Sequence, residues 1–191
     1  ERPSPHRVEP RCPHVGVCGG CAFQHLSGEK QRDLKREHLF QSLVKIGGAD
    51  PAGLADLAVR PSPDEYGYRN KMEFAFGERD GRLVLGLRER VSPLQRGRSA
   101  VVPLETCPIF GGIPARLFPV VLGYGAERGW TAYDSSRHMG FARHLVLREG
   151  KNTGEAMAVL VTTGSALPDL AGLADAMRAA VPELVSVWWV G

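Results

Sequence analysis

Cysteine is scarce in this chain of 191 residues: there are four, and three of them fall between positions 12 and 21. So few argue against a disulfide-dense secreted scaffold, because a chain of this length can bury a core without such staples. Long apolar runs are missing as well. Nothing approaches the roughly 20 consecutive residues of a membrane-spanning helix, so no membrane partner is expected. Aromatic residues make up only 7% of the chain, and neither sign of charge dominates, the formal net charge being +3. With 43% hydrophobic and 24% charged residues, the composition is that of one globular domain, or one with a small appendage, expected as a monomer. No secretory leader is visible, and thiols kept reduced imply a reducing compartment, the cytoplasm.

What is present centres on the stretch Arg11-Cys-Pro-His-Val-Gly-Val-Cys-Gly-Gly-Cys21. Cys12, Cys18 and Cys21 form C-x5-C-x2-C, and Cys107 stands far downstream in Thr106-Cys-Pro-Ile109. Four thiolates complete one metal site. The x2 spacing lets a turn aim two sulfurs at one point, and Gly19-Gly20 lets backbone amides approach them closely. Three readings are open on spacing alone: two disulfides, structural zinc, or an iron-sulfur cluster. Zinc sites more often use two paired motifs. A triplet with one remote cysteine suits a cluster.

The words around the cysteines carry further. Cys12-Pro-His-Val-Gly-Val-Cys-Gly-Gly-Cys-Ala-Phe-Gln-His-Leu26 is followed by Glu29-Lys-Gln31, Tyr68-Arg-Asn-Lys71, Gly86-Leu-Arg-Glu-Arg90 and Cys107-Pro-Ile109. Gly140-Phe-Ala-Arg-His-Leu-Val-Leu-Arg148 and Thr153-Gly-Glu-Ala-Met157 continue the series. In this order they resemble the RNA (uracil-5-)-methyltransferases, in the branch that carries a [4Fe-4S] cluster and methylates uridines of 23S ribosomal RNA. The resemblance implies that Cys12, Cys18, Cys21 and Cys107 ligate the cluster and that ribosomal RNA is the partner.

It also implies a division of labour. In that family a thiolate attacks uracil C6, the methyl group from S-adenosylmethionine is added at C5, and a base removes the C5 proton. All four cysteines here match the cluster pattern, which leaves none as nucleophile. The S-adenosylmethionine-binding catalytic domain would follow Gly191 and is absent from this chain, so methyl transfer would belong to the intact parent. A free-standing, metal-stapled RNA-binding module without catalytic activity is the alternative.

From Arg69 to Arg98 eight basic residues (Arg69, Lys71, Arg79, Arg82, Arg88, Arg90, Arg96 and Arg98) stand against Glu73, Glu78, Asp80 and Glu89. Such a stripe attracts phosphate, and arginine forks onto its oxygens. The RNA-contact candidates are Arg69 and Lys71, in the stretch that the resemblance marks as RNA-facing, Arg88 and Arg90, and Gln24 and His25, which directly follow the cysteines.

Pattern along the chain predicts an α+β fold, a mainly antiparallel sheet of hairpins with packed helices, stapled by the four-cysteine cluster. Residues 1–26 read as an irregular arm and cysteine loop, and 27–191 as the central domain. Ser27 caps a helix from Gly28 to Ile46, with Leu34, Leu39, Leu43 and Ile46 near one face. Strand-like residues are expected at Ala58–Arg60, then a strand over Asn70–Gly77, an Asp80-Gly81 turn and a return strand Arg82–Arg88. A short strand at Val101-Val102, a helix from Pro114 to Glu127 interrupted by Pro119, and a hairpin of Phe141–Glu149 with Glu155–Thr163 follow. A helix opening at Pro168 and a strand Leu184–Val190 complete the series, with one of Trp188 and Trp189 buried and the other exposed.

Overall fold

The structure is a computed structural model describing residues 2–91 and 99–191; Arg96 and Arg98 of the basic stretch lie outside the described residues. The chain divides into two compact units, one containing the residues up to Val15 with Cys21–Glu65, the other Gly16–Gly20 with Tyr66–Gly191.

In the first unit α1 runs over Gly28–Lys45, and the Ser27 hydroxyl accepts the Lys30 N–H at 3.3 Å. That bond satisfies one of the amides a helix start leaves over. The expected apolar face does not become a core. No residue of α1 is buried, Leu39 is 44% exposed and Ile46 is 87% exposed. The N-terminal arm is tied down by backbone, with Val8 N–H donating to His25 O at 3.0 Å and Ser27 N–H to His6 O at 3.2 Å. Ala58–Arg60 forms no strand. Pro61 and Pro63 follow at once, and neither has an N–H to give a ladder.

The second unit is built on a six-stranded sheet in the order β3-β2-β1-β4-β5-β6, with β1 Lys71–Arg79, β2 Arg82–Arg88, β3 Val101–Pro103, β4 Ala142–Glu149, β5 Ala156–Thr162 and β6 Leu184–Val190. All pairings are antiparallel except β5 with β6. Together with the three α-helices of the described residues this is an α+β architecture. Asp80 and Gly81 take φ of 51° and 71°, the two positive values of a tight turn whose twist matches the strands, and Arg79 lies directly opposite Arg82.

Alternation sets the two faces. Met72, Phe74 and Phe76 of β1 are buried, and α2, Ile113–Glu127, covers this side with Phe118 edge-on to Phe74 at 4.8 Å. Helix α2 continues through Pro119; its Pro114, near the start, occupies a place where a missing N–H costs nothing. Helix α3, Leu170–Ala180, supplies the crossover a parallel strand pair needs. Its cap is Asp169, whose carboxylate accepts the Gly172 N–H at 3.1 Å, rather than the residue after Pro168 being already helical. The Tyr124 hydroxyl donates to Asp169 O at 2.8 Å, and Arg128 stacks 3.4 Å over the Tyr124 ring, tying the end of α2 to the start of α3.

Strand β4 does not keep a strict alternation along its length. A register shift between Ala142 and His144 puts Ala142, fully buried, on the core side with Leu145 and Leu147. An extra residue of this kind reverses which face its neighbours take.

Glycine decides how close β3 comes. A Cβ on Gly86 would stand 1.7 Å from Val102 O, and one on Gly77 would stand 2.6 Å from the Val101 side chain.

Candidate functional site

The cysteines fall two to each unit, Cys12 and Cys21 in the first, Cys18 and Cys107 in the second. Cys12 accepts help from its own loop. Its N–H donates to Gln24 Oε1 at 3.2 Å, and its sulfur lies 3.8 Å from His14 Nδ1. The other end of the same amide, Gln24 Nε2, is buried with no hydrogen-bond partner.

Cys18 is held by sheet pairing. The β1–β2 ladder ends at Ala75 opposite Gly86. Beyond that point the segment around Cys18 takes up the bonds of β2's continuation, with Gly19 N–H donating to Arg88 O at 2.9 Å and Arg90 N–H to Val17 O at 2.7 Å. A Cβ on Gly19 would stand 2.9 Å from Arg88 O, so glycine is what lets the segment lie this close. The Gly20 N–H reaches Cys18 Sγ at 3.4 Å. Cys18 is buried, as is Cys107. Cys107 begins a tight turn whose carbonyl accepts the N–H groups of Phe110 and Gly111 at 2.9 and 3.0 Å.

None of the four forms a disulfide, which removes one of the three readings of their spacing. The donor set suits a thiolate-bound metal group, and the orphaned Gln24 amide beside Cys12 is a donor of the kind that sulfur accepts. The gathering expected of a cluster staple is nevertheless not seen. Among the described residues no three His, Cys, Asp or Glu side chains converge closely enough to hold a metal ion.

The RNA-contact candidates are dispersed. Arg69 N–H donates to Ile109 O at 3.0 Å and Gly67 N–H to Pro108 O at 2.9 Å, so the Tyr68-Arg-Asn-Lys stretch runs beside the Cys107 turn. The Arg69 guanidinium turns back to Met72 Sδ at 3.7 Å. Lys71 opens β1, exposed and opposite Arg148 of β4. Arg88 donates to Ser99 O at 2.9 Å, and with Arg90 it flanks the Cys18 segment through backbone bonds. Gln24 and His25 belong to the other unit, where the His25 carbonyl serves the arm.

One group on the sheet has a perturbed titration. His144 is half-buried, its Nδ1 3.5 Å from Glu73 Oε1 without forming a hydrogen bond. Burial pushes its pKa below the ordinary histidine value, more strongly than the Glu73 carboxylate pulls it up, and Arg143 and Arg88 act with the burial.

Known proteins resemble this chain in sequence and in fold. An uncharacterized RNA methyltransferase of Halalkalibacterium halodurans is 34% identical over 187 residues, covering 96% of this chain and 38% of the relative. One from Caldanaerobacter subterraneus is 37% identical over 161 residues, 84% of this chain and 34% of the relative. One from Nostoc is 35% identical over 186 residues, 97% of this chain and 39% of the relative. The chain is similar to RNA methyltransferases along nearly its whole length. It spans a little over a third of the length of these relatives. Among solved structures, the Pyrococcus abyssi tRNA (uracil-54, C5)-methyltransferase in complex with S-adenosyl-L-homocysteine matches with a TM-score of 0.64 and 28% identity, over 90% of this chain and 36% of that one. No protein-family model matches the chain.

Arg148 and Trp188, absent from the sequence-derived RNA candidates, prove to share the sheet face of Lys71; the alternation of β4 and β6 was the signal for them.

Proposed function

We infer that this chain is the central, RNA-binding and iron-sulfur-carrying part of an S-adenosylmethionine-dependent RNA uracil-C5 methyltransferase that modifies ribosomal RNA in the cytoplasm. The observation that carries the reading is similarity to RNA methyltransferases over 96% of the chain, joined to the fold it shares with a uracil-C5 enzyme. Methyl transfer belongs to the intact parent, whose remaining length holds the methyl-donor site and the nucleophilic cysteine. Cys12, Cys18, Cys21 and Cys107 are the cluster ligands. When bound, a [4Fe-4S] group gathers residues far apart in sequence and acts as a cross-link. It needs no redox duty, because methyl transfer by a polar route moves no net electrons.

Within the chain, Lys71 and the arginines near the cysteine turns supply phosphate contacts, and Gln24 braces the Cys12 loop. The test is iron and acid-labile sulfide analysis of protein prepared without air. Four irons and four sulfides per chain are expected, with replacement of Cys107 by Ser lowering both. One zinc and no iron would remove the cluster from this reading and leave its RNA part standing.

A further inference from the structure

Among the described residues of the larger unit, no helix packs on the second face of its sheet. Helix α2 packs on the side of Phe74, with Phe118 against it. Leu145 and Leu160 lie in register with Phe74 on that buried side, and Trp189 pairs with Leu160 there, its indole N–H donating to Thr162 Oγ1 at 2.9 Å. The residues between them must stand on the opposite face. There the register forms rows across four strands. Lys71 of β1 opposes Arg148 of β4, and in the next row Glu73, Val146, Val159 and Trp188 follow one another from β1 to β6.

Three features of this face call for a ligand. First, Lys71 and Arg148 are like charges directly opposite each other, an arrangement that destabilises a sheet by itself. Among the described residues no carboxylate lies within ion-pair distance of either, since Glu73 stands by His144 and Glu149 is taken by Lys151. The same conflict recurs on the same face at Arg79 opposite Arg82. Sequences break local rules of this kind chiefly at functional sites. Second, Trp188 is 60% exposed, and its indole N–H donates to Ser186 Oγ at 2.7 Å. That bond restrains the orientation of a large ring that is left open to solvent. Third, half-buried Val146 and Val159 bridge the two features, so that cation and aromatic lie on one continuous surface, three strand steps or about 14 Å apart.

We propose that this open sheet face binds single-stranded RNA, with Lys71 and Arg148 on its phosphates and Trp188 stacked on an unpaired base. A strand of RNA matches the surface in both respects, offering phosphates at one edge and flat apolar bases at the other. A protein interface centred here would have to desolvate the Lys71–Arg148 pair, and lysine is depleted from such centres. A duplex hides its bases and leaves Trp188 idle. The inference rests on the RNA reading above and adds to it the surface, the form of RNA and two residues, Arg148 and Trp188.

The experiment uses this chain and a fluorescently labelled oligouridylate, with an RNA duplex of equal length as comparison. Fluorescence anisotropy should show tighter binding of the single strand and quenching of tryptophan emission as it binds. The double variant Lys71→Ala with Arg148→Ala should bind about 10-fold more weakly at low salt and lower the salt slope by about 1.4, the share of two phosphates. Trp188→Ala should weaken binding about 10-fold with little change of slope, and Trp188→Phe, which keeps a stacking ring, should retain most of the affinity. Arg178→Ala on α3, away from this face, should match the parent chain.

No binding of any RNA would remove the RNA reading and this inference together. Binding that is unaltered in both the Lys71/Arg148 and the Trp188 variants would overturn the inference alone. If Trp188→Ala left RNA affinity at the parent value but weakened association with a protein, the apolar half would be a protein surface and the stacking assignment would fail.

Discussion

At the scale of single residues, His144 links the interior of the sheet to solution pH. Its pKa in the folded chain is lowered, first by burial, so protons favour the unfolded chain between that lowered value and the ordinary one near 6.5. Over this window the unfolded state binds more protons than the native state, so stability rises with pH and is lost on acidification. His144→Gln should flatten that slope. Urea midpoints between about pH 5 and 8 measure it, and parallel curves for the two proteins would mean that the ring is not held neutral. Much at this scale was legible in the sequence. Met72, Phe74 and Phe76 alternate with polar or small neighbours and are all buried. The pair Trp188-Trp189 must straddle the sheet, and it does, with Trp189 half-buried rather than buried. Which of the two is covered was not legible, because that depends on the side from which α2 and α3 arrive. Ala142 shows a different limit: a bulge adds a residue without altering composition, so an alternation counted through it comes out on the wrong face.

Among elements, the strands with a strong period were the most readable. Strand β6 covers Leu184–Val190 and β2 covers Arg82–Arg88, as the alternation and turn residues imply. Helix α1 was legible by its Ser27 cap, but its burial was not. Its apolar residues are too widely scattered around the helix to form a stripe. The short β3 depends on what β2 lacks. Gly86→Ala would drive a methyl group into the Val102 carbonyl, and an overpacked contact of this type costs about 1–3 kcal/mol. The urea midpoint should fall accordingly, with the amides of β3 and its partner residues losing protection. An unchanged midpoint would show that β3 does not lie so near.

For the whole molecule, the two units differ in what holds them. The larger has a continuous apolar interior from Phe74 to Met177, whereas α1 of the smaller has no buried residue. Local opening free energy follows such burial. Amide exchange in α1 should therefore be faster than in β1, β4 and β5 by on the order of 100-fold or more in the metal-free chain. Equal protection would mean that contacts other than side-chain burial stabilise the helix. The candidate site was legible in identity and not in arrangement. Spacing singled out Cys12, Cys18, Cys21 and Cys107, and their flanking words pointed to RNA methylation, where similarity to known proteins also leads. Sequence carries no distances, and the division of these cysteines two by two between units is a property of the folded chain.

The two borders of the sheet are unequal. Strand β3 has three residues and ends in Pro103, which has no N–H to offer a newcomer. Strand β6 has seven, with no charge and no proline among Leu-Val-Ser-Val-Trp-Trp-Val. Natural sheets usually blunt such a margin with lysine, proline or a bulge, because an undefended one templates the addition of further strands. Among the described residues, growth of the sheet is thus hindered at β3 and undefended at β6. Any ordered self-assembly of this chain at high concentration would begin along the outer rim of β6.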